Sequence, residues 1–173
     1  MNFLNESILF SIKTRFGDLE ANTIVGKDYK VAIVIFNNRA SGVLKMKKTN
    51  TREAIEVCNA VNEMLEEWIS YIKTITAGNG KEFIEHKKVP KQCYANFYFA
   101  NPYSPWEGGA NENINGLIKQ YFPKKTGFLT ILDQEIKRIE RKLNDRPRKR
   151  FNFDTPLEII DKLFFNTKVA FIT

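Results

Sequence analysis

The sequence predicts an α/β fold in which a mixed sheet is flanked by helices. Apolar and β-branched residues first recur at strand spacing in three successive segments, and from Thr51 onward they recur every three or four residues, as on a helix with one buried stripe. The 173 residues, 43% hydrophobic and 27% charged, match one globular domain of average size. We therefore expect one continuous unit with the element order β-β-β-α-β-(α)-β-α-α-α.

The first three predicted strands form an antiparallel meander. Residues 19–25 and 29–36 are rich in apolar and β-branched side chains and flank a Gly-Lys-Asp turn signal at 26–28. Residues 42–47 alternate between apolar and polar side chains and predict a third strand. The connections are short, which favours antiparallel pairing of consecutive strands.

The rest of the chain predicts two more strands and a series of helices. Thr51 is the expected N-cap of the first helix, and short strands are predicted at residues 72–76 and 97–100. Further helices are predicted at residues 111–121 and around an apolar stripe from 132 to 143. The last helix begins at residues 155–158, a Thr-Pro-Leu-Glu capping box with proline at the first helical position.

The positive charge of the chain is concentrated in its C-terminal third. The net charge is +7; residues 1–113 contain 14 Lys/Arg against 13 Asp/Glu, whereas residues 114–173 contain 13 against 7. This distribution predicts a polyanionic partner for the C-terminal third. The alternative is that the excess lysine only keeps the chain soluble.

Several classes of protein are disfavoured by the composition. Cys58 and Cys93 are 35 positions apart, without a CxxC pair, which argues against a zinc ribbon or a disulfide framework and suits a reducing cytosol. No apolar run approaches the ~20 residues of a membrane helix. The first ten residues contain no basic residue ahead of the apolar patch, so no signal peptide is predicted. We expect a cytoplasmic protein without a membrane partner.

Two blocks of sequence resemble a known family. Residues 102–124 read Pro-Tyr-Ser-Pro-Trp-Glu-Gly-Gly-Ala-Asn-Glu-Asn-Ile-Asn-Gly-Leu-Ile-Lys-Gln-Tyr-Phe-Pro-Lys, and residues 143–149 read Leu-Asn-Asp-Arg-Pro-Arg-Lys. Both are similar to blocks of the bacterial insertion-sequence transposases with a DDE catalytic domain, closest to the group founded by insertion sequence thirty. The resemblance covers roughly residues 16–165. It predicts one catalytic domain at residues 16–173, preceded by a non-family extension at residues 1–15 that does not look like the family's helix-turn-helix region, so we expect an N-terminally truncated member.

The resemblance implies an RNase H-like fold of the retroviral-integrase type, with a mixed five-stranded sheet, and DNA strand cleavage and transfer by two divalent metal ions. Such chemistry needs carboxylates, because Mg²⁺ prefers oxygen ligands. The three family carboxylates fall on Asn22, Gly78 and Glu112, with 33 residues between the last two. Only Glu112 is still acidic. We therefore expect Mg²⁺, the family's cofactor, to bind weakly or not at all, and catalysis to be lost or nearly lost.

Neighbouring side chains offer no simple replacement for the missing carboxylates. Glu20 lies one same-face step from Asn22 along the predicted strand, about 6.6 Å away, so it would need a two-residue shift in register. Glu82, Glu107 and His86 lie closer to the predicted turn and loops, but a solvated surface position is the preferred interpretation for each of them. The chain departs from the family's usual residue at three further positions: Asn38, Asn101 and Gly108.

The residues expected to face DNA are better preserved. Lys119 lies seven positions after Glu112 on the same helix face, so it could reach a phosphate, although a solvated lysine is the alternative. Trp106 lies in a Gly/Pro loop, where it either stacks on a base or anchors the loop on the core. A basic run should contact phosphates without reading the sequence, unless it is only a solvated turn. The run comprises Arg146, Arg148, Lys149 and Arg150.

These observations predict a catalytically degenerate DDE transposase domain. Its expected partners are DNA, as transposon ends or as non-specific duplex, and a second copy of the chain or a full-length transposase. The alternative is a non-catalytic DNA-binding or transposase-interacting regulatory remnant.

Overall fold

The computed structural model describes residues 16–78, 96–99, 109–123 and 125–170. Strands and helices follow one another in the predicted order. The strands are β1 (Asp18–Val25), β2 (Ala32–Asn38), β3 (Leu44–Lys48), β4 (Thr74–Ala77) and β5 (Asn96–Phe99). The helices are α1 (Ala54–Leu65), α2 (Gly109–Lys119), α3 (Asp133–Asn144) and α4 (Pro156–Ala170). Among these helices, none has the length and apolar character required to cross a bilayer.

The five strands form one mixed sheet in the order β3-β2-β1-β4-β5. β1 pairs antiparallel with β2, and β2 with β3, which confirms the predicted meander. β4 pairs in parallel with β1 and with β5. The predicted sheet flanked by helices is therefore confirmed. The helix expected between β4 and β5 and the extension at residues 1–15 lie outside the described residues.

Two boundaries differ from the predictions because turns extend into the predicted elements. β2 begins at Ala32 rather than at residue 29, since Tyr29 has a left-handed backbone (φ 55°) in the turn. β4 begins at Thr74 rather than at residue 72, since the backbone of Ile72 is still bonded to the preceding helical turn, at Trp68 O. Lys73 continues this link by donating to Gly17 O, which positions β4 beside the start of β1.

The predicted N-cap of the first helix is wrong by two residues. Glu53 occupies the N-cap of α1 and makes no side-chain capping bond. Thr51 Oγ1 instead accepts a hydrogen bond from Glu53 N at 3.2 Å. A threonine hydroxyl that bonds two residues onward forms a local turn ahead of the helix, which competes with the capping role.

The sheet separates two hydrophobic clusters. Alternate residues of β1 and β2, such as Leu19 and Phe36, pack against α1. The intervening residues face α2 and α3, and this side, here called the α2–α3 face, contains Ile33 and Ile35 of β2. Along β1 the same face is polar except at its end. In order it carries Asp18, Glu20, Asn22 and Ile24.

Candidate active site and basic cavity

Two of the three positions that the family resemblance assigns to carboxylates are neighbours in the sheet. β1 and β4 run parallel, and their last paired residues are Ala21 and Ala77. The next residue in β1 is Asn22, and Gly78 directly follows the end of β4. Adjacent strands lie about 4.8 Å apart, so these positions could hold side chains that share one ligand. The tertiary structure therefore brings together two predicted site residues that are far apart in the sequence.

Asn22 supplies an oxygen without a charge. The residue is half-buried in β1, on the α2–α3 face. Its Oδ1 accepts a hydrogen bond from the backbone N of Thr23 at 2.8 Å. An amide oxygen has two lone pairs, and one of them is used here by the chain itself. Unlike an aspartate, Asn22 carries no negative charge, and part of its acceptor capacity is already used.

Gly78 leaves open space where a ligand side chain would stand. A Cβ built on this residue meets no atom of the described chain within 4 Å. Its backbone is not in the left-handed region, which among the described glycines is occupied by Gly17 and Gly42. Neither sterics nor backbone geometry therefore explains why glycine occupies this position.

Glu112 lies in the first turn of α2, and its side chain is outside the described part of the structure. The helix packs on the α2–α3 face through Ile114 and Ile118, which join the cluster formed by Ile33 and Ile35. The third predicted position is therefore on a helix that covers the same face as Asn22.

The two carboxylates of β1 are engaged by neighbouring side chains. Glu20 Oε1 lies 3.1 Å from Arg39 Nε, and the Glu20 side chain is only 2% exposed. Asp18 Oδ1 accepts a hydrogen bond from Thr74 Oγ1 at 2.7 Å. A buried carboxylate that already balances a guanidinium is poorly placed to hold a cation as well.

The side chains described at this site do not fit a pair of Mg²⁺ ions. Mg²⁺ is bound in proteins through carboxylates in near-octahedral geometry. Within the described ranges, no group of three or more His, Cys, Asp or Glu side chains is arranged to hold a metal ion. At two of the three positions that the family resemblance assigns to metal ligands, Asn22 and Gly78 supply no charge for a metal ion.

The basic run lies between α3 and α4 and is fixed at both ends. Asn144, at the end of α3, donates from Nδ2 to Leu44 O at 2.8 Å and accepts from Leu44 N at 2.9 Å. Arg148 N donates to Asp154 O at 3.0 Å, and Phe153 N donates to Arg148 O at 3.1 Å. The run is therefore held against the edge strand β3 on one side and closes a turn ahead of α4 on the other.

The basic run forms one wall of a cavity of about 290 Å³, here called the basic cavity. The opposite wall is α2, through Asn113, Ile114 and Leu117, and the end of the sheet contributes Asn37 and Gly42. The run itself contributes residues 146–150. All four basic residues predicted in this segment therefore line one cavity.

Lys119 is not part of the basic cavity. It lines a second groove of about 630 Å³, together with Ile24, Phe122 and Phe128 and two further lysines, Lys27 and Lys125. The residues predicted to face DNA thus fall into two separate groups. Trp106 lies outside the described residues.

The basic residues differ in their contacts. Arg148 Nη2 donates to Leu143 O at 2.9 Å, so this guanidinium also closes the C-terminus of α3. Arg146 Nη1 donates to Gln120 Oε1 at 3.3 Å, which links the run to the end of α2. The Arg150 guanidinium lies 4.3 Å from the ring centroid of Phe151. Arg148 therefore has a structural contact, whereas the other side chains are more exposed.

The arginines of the run affect one another. Burial lowers the pKa of Arg148, and the charges of Arg150 and Arg146 lower it further. Burial also lowers the pKa of Arg150, an effect that the Glu20 carboxylate partly opposes. These directions indicate that several positive charges are held close together at the cavity.

Sequence reasoning missed Asn144 and Asn37 as residues that shape this site. Asn144 is 7% exposed. The sequence feature that could have identified it is a polar residue at the end of the apolar stripe of α3, within the block at residues 143–149. Asn37 is 1% exposed and, together with Asn38, ends a strand whose preceding residues are apolar. A polar residue in a buried pattern is informative because it requires a partner.

Comparisons with known proteins agree with this architecture. No family model matches the chain. The transposase for insertion sequence element IS4351 of Bacteroides fragilis is 45% identical over 163 residues, which are 94% of this chain and 50% of that protein. Transposase InsI for insertion sequence element IS30A of Escherichia coli (strain K12) is 34% identical over 147 residues, which are 84% of this chain and 37% of that protein. The chain therefore spans half or less of the length of these relatives.

A solved structure has the same fold. The catalytic core domain of BIV integrase superposes with a TM-score of 0.65 and 16% sequence identity, over 91% of this chain and 99% of that chain. At this identity the likeness concerns the fold alone, and it confirms the predicted RNase H-like architecture of the integrase type. The chain is therefore homologous, over half or less of their length, to insertion-sequence transposases such as those of IS4351 and IS30A.

Proposed function

We propose that this chain is the catalytic-core region of a DDE transposase that still binds DNA but no longer performs metal-dependent strand cleavage and transfer. The observation that carries this proposal is the pair Asn22 and Gly78. Asn22 in β1 and Gly78 directly after β4 each follow the last paired residues of these strands, at positions where the family resemblance places two of three metal-binding carboxylates.

The loss of catalysis follows from the charge at the site. Two-metal phosphoryl transfer needs anionic oxygens to hold both cations and to place them at the attacking and leaving oxygens. Asn22 offers a neutral oxygen that already accepts a bond from Thr23, and Gly78 offers no side chain. Glu112 alone cannot balance two divalent cations. The same change removes negative charge that would repel a DNA phosphate, so DNA binding should not require Mg²⁺.

Retained DNA binding is supported by the basic C-terminal third. The run at residues 146–150 is held in a defined conformation by Asn144 and by the turn ahead of α4. Arginine side chains fixed in this way can contact phosphate oxygens with little loss of side-chain entropy on binding. The proposal for DNA as partner also agrees with the names of the transposase relatives.

The proposal is tested by restoring the two carboxylates. The double variant Asn22→Asp/Gly78→Asp should bind Mn²⁺ or Mg²⁺ in isothermal titration calorimetry, whereas the wild-type chain should not bind measurably. The matched control is Asn22→Asp/Gly78→Asn, which fills the same space with one charge fewer. The open space around Gly78 makes both side chains sterically acceptable.

Activity and DNA binding provide two further measurements. Wild-type protein should bind a short DNA duplex equally well in EDTA and in Mg²⁺, and it should not nick supercoiled plasmid DNA above background. Metal-dependent nicking by the wild-type chain that Glu112→Gln abolishes would contradict the loss of catalysis. Absence of DNA binding in low salt would contradict the retained function.

A further inference from the structure

The basic cavity combines several positive charges with no acidic side chain in its lining. Among the described residues that line it, four are cationic and none is Asp or Glu. Arg150 Nη2 lies 2.6 Å from where a Cβ on Gly42 would stand, so glycine at this left-handed position (φ +71°) allows the guanidinium to lie against the β2–β3 turn. Clustering like charges is costly unless an anion offsets them.

Two buried polar atoms in the lining have no hydrogen-bond partner in the described part of the chain. One is Arg148 Nε, although Nη2 of the same guanidinium donates to Leu143 O. The other is Oδ1 of Asn37, a residue that is 1% exposed. The Asn37 oxygen is an acceptor and adds nothing to an anion site, since phosphate oxygens also accept hydrogen bonds. The guanidinium of Arg148 is a cationic donor, and together with the neighbouring cationic side chains it favours an anionic ligand.

We propose that the basic cavity binds a phosphate group through Arg146, Arg148 and Arg150. The phosphate can come from a nucleic-acid strand or from a free phosphate compound, and the nucleic-acid source rests on the proposed function above. Guanidinium groups match phosphate oxygens because their planar donors bind two oxygens at once. The cavity volume of about 290 Å³ leaves room for the group to which the phosphate is attached.

The basic cavity is separate from the site at Asn22 and Gly78. No residue of β1 or β4 is among the described residues that line it. On α2, the lining residues Asn113 and Leu117 are four positions apart and share one helix face. Glu112 directly precedes Asn113, and successive positions on a helix are rotated by about 100°, so the two positions are on different sides of α2. The proposed phosphate site is therefore next to, but not within, the predicted catalytic site.

Three substitutions and one matched control test this site. Arg146→Gln and Arg150→Gln each remove one positive charge from the lining. Asn113→Glu places a carboxylate at an exposed position of the cavity wall, where it competes with a bound phosphate. The control is Arg138→Gln, which makes the same charge change at an exposed position of α3 outside the cavity. Arg148 is not substituted, because its bond to Leu143 O supports the fold.

Pyrophosphate is the first probe, measured by isothermal titration calorimetry in low salt. Wild-type protein should bind it at one saturable site. Each arginine variant should raise the dissociation constant about tenfold, as expected for losing one charge-assisted contact. Asn113→Glu should abolish measurable binding, and Arg138→Gln should change the dissociation constant less than about twofold. Absence of saturable binding, or equal losses in Arg138→Gln, would overturn the proposal.

A short DNA duplex is the second probe and distinguishes the two sources. Displacement of pyrophosphate by the duplex supports a nucleic-acid phosphate as the ligand. Saturable pyrophosphate binding without displacement supports a free phosphate compound as the ligand. If wild-type protein binds the duplex but no cavity variant differs from Arg138→Gln with either probe, the cavity proposal fails while the proposed function stands. If pyrophosphate binds but the duplex does not bind anywhere, the proposed function fails while the cavity proposal stands.

Discussion

Asparagine in place of the aspartate that the family resemblance predicts has different consequences at two positions of the sheet. Asn22 and Asn38 both stand where the family resemblance places aspartate. Asn38 Oδ1 accepts hydrogen bonds from Ser41 N at 2.9 Å and from Ser41 Oγ at 3.0 Å, which aspartate would accept equally. Its role at the end of β2 is therefore structural. At Asn22 the charge itself was the expected function, so only this change bears on catalysis.

Asn144 is the residue whose loss should destabilise the basic run most directly. Asn144→Ala removes two hydrogen bonds to Leu44 and leaves buried backbone groups of β3 without these partners. Each net bond is worth about 1 kcal/mol, and unpaired buried groups add to the loss, so we expect a decrease of about 2–3 kcal/mol in the free energy of unfolding. Urea denaturation measures the change.

The control for this prediction is Arg138→Ala on the exposed side of the same helix. Surface substitutions of this kind usually change the free energy of unfolding by less than about 0.5 kcal/mol. Equal stability of Asn144→Ala and Arg138→Ala would show that the link to β3 contributes nothing measurable.

At the level of elements, α3 protects the exposed edge of the sheet. β3 is the edge strand, and its outward backbone groups could pair with another chain. Asn144 Oδ1 accepts from Leu44 N, and Glu140 Oε2 accepts from Met46 N. One helix therefore covers the edge with side-chain acceptors and at the same time fixes the start of the basic run.

The first turn of α4 confirms the capping box predicted at residues 155–158. Glu158 N donates to Thr155 Oγ1 at 3.2 Å, and Thr155 N donates to Glu158 Oε2 at 2.7 Å. This motif was predictable because every contact is made within four consecutive residues. The incorrect N-cap at Thr51 shows the limit of such reasoning, since a competing local turn can use the same hydroxyl.

The capping box predicts a pH dependence of stability. The backbone hydrogen bond from Thr155 and the side-chain contact with Thr155 hold the pKa of Glu158 below its ordinary value of 4.5. A carboxyl group with a lowered pKa in the folded state stabilises the fold above its unfolded pKa, and this contribution is lost as the pH falls through the folded value. In urea denaturation at a series of pH values, wild-type protein should therefore lose more stability below about pH 4.5 than Glu158→Gln.

Glu135→Gln is the matched control for this pH experiment, because Glu135 lies in the first turn of α3. Its pH profile should follow that of the wild-type protein more closely than Glu158→Gln does. If Glu158→Gln and wild-type protein have the same pH dependence, the capping carboxylate does not contribute to stability.

At the scale of the whole molecule, the charge distribution predicts how DNA binding responds to salt. The C-terminal third contains 13 Lys/Arg against 7 Asp/Glu, and its basic run lines one cavity. Displacement of counterions from DNA makes affinity fall steeply as salt rises. Replacing Lys149 with Gln should reduce the slope of log affinity against log salt by about one, as measured by fluorescence anisotropy with a labelled duplex.

Lys30→Gln is the control for the salt experiment, since Lys30 is exposed in the β1–β2 turn and outside both described cavities. Its slope should equal that of wild-type protein. Equal changes in Lys30→Gln and Lys149→Gln would mean that only net charge matters and that the basic run has no specific role.

The sequence by itself determined the resemblance to insertion-sequence transposases and the order of the described strands and helices, and the expected absence of two carboxylates rests on that resemblance. These features are encoded locally, in residue identity and in the spacing of apolar side chains. Only the tertiary structure decided that Asn22 adjoins Gly78, that Lys119 is separated from the basic run, and that Arg148 closes the end of α3. Such relations depend on strand register and on how helices pack on the sheet, which arise from contacts between residues distant in the chain.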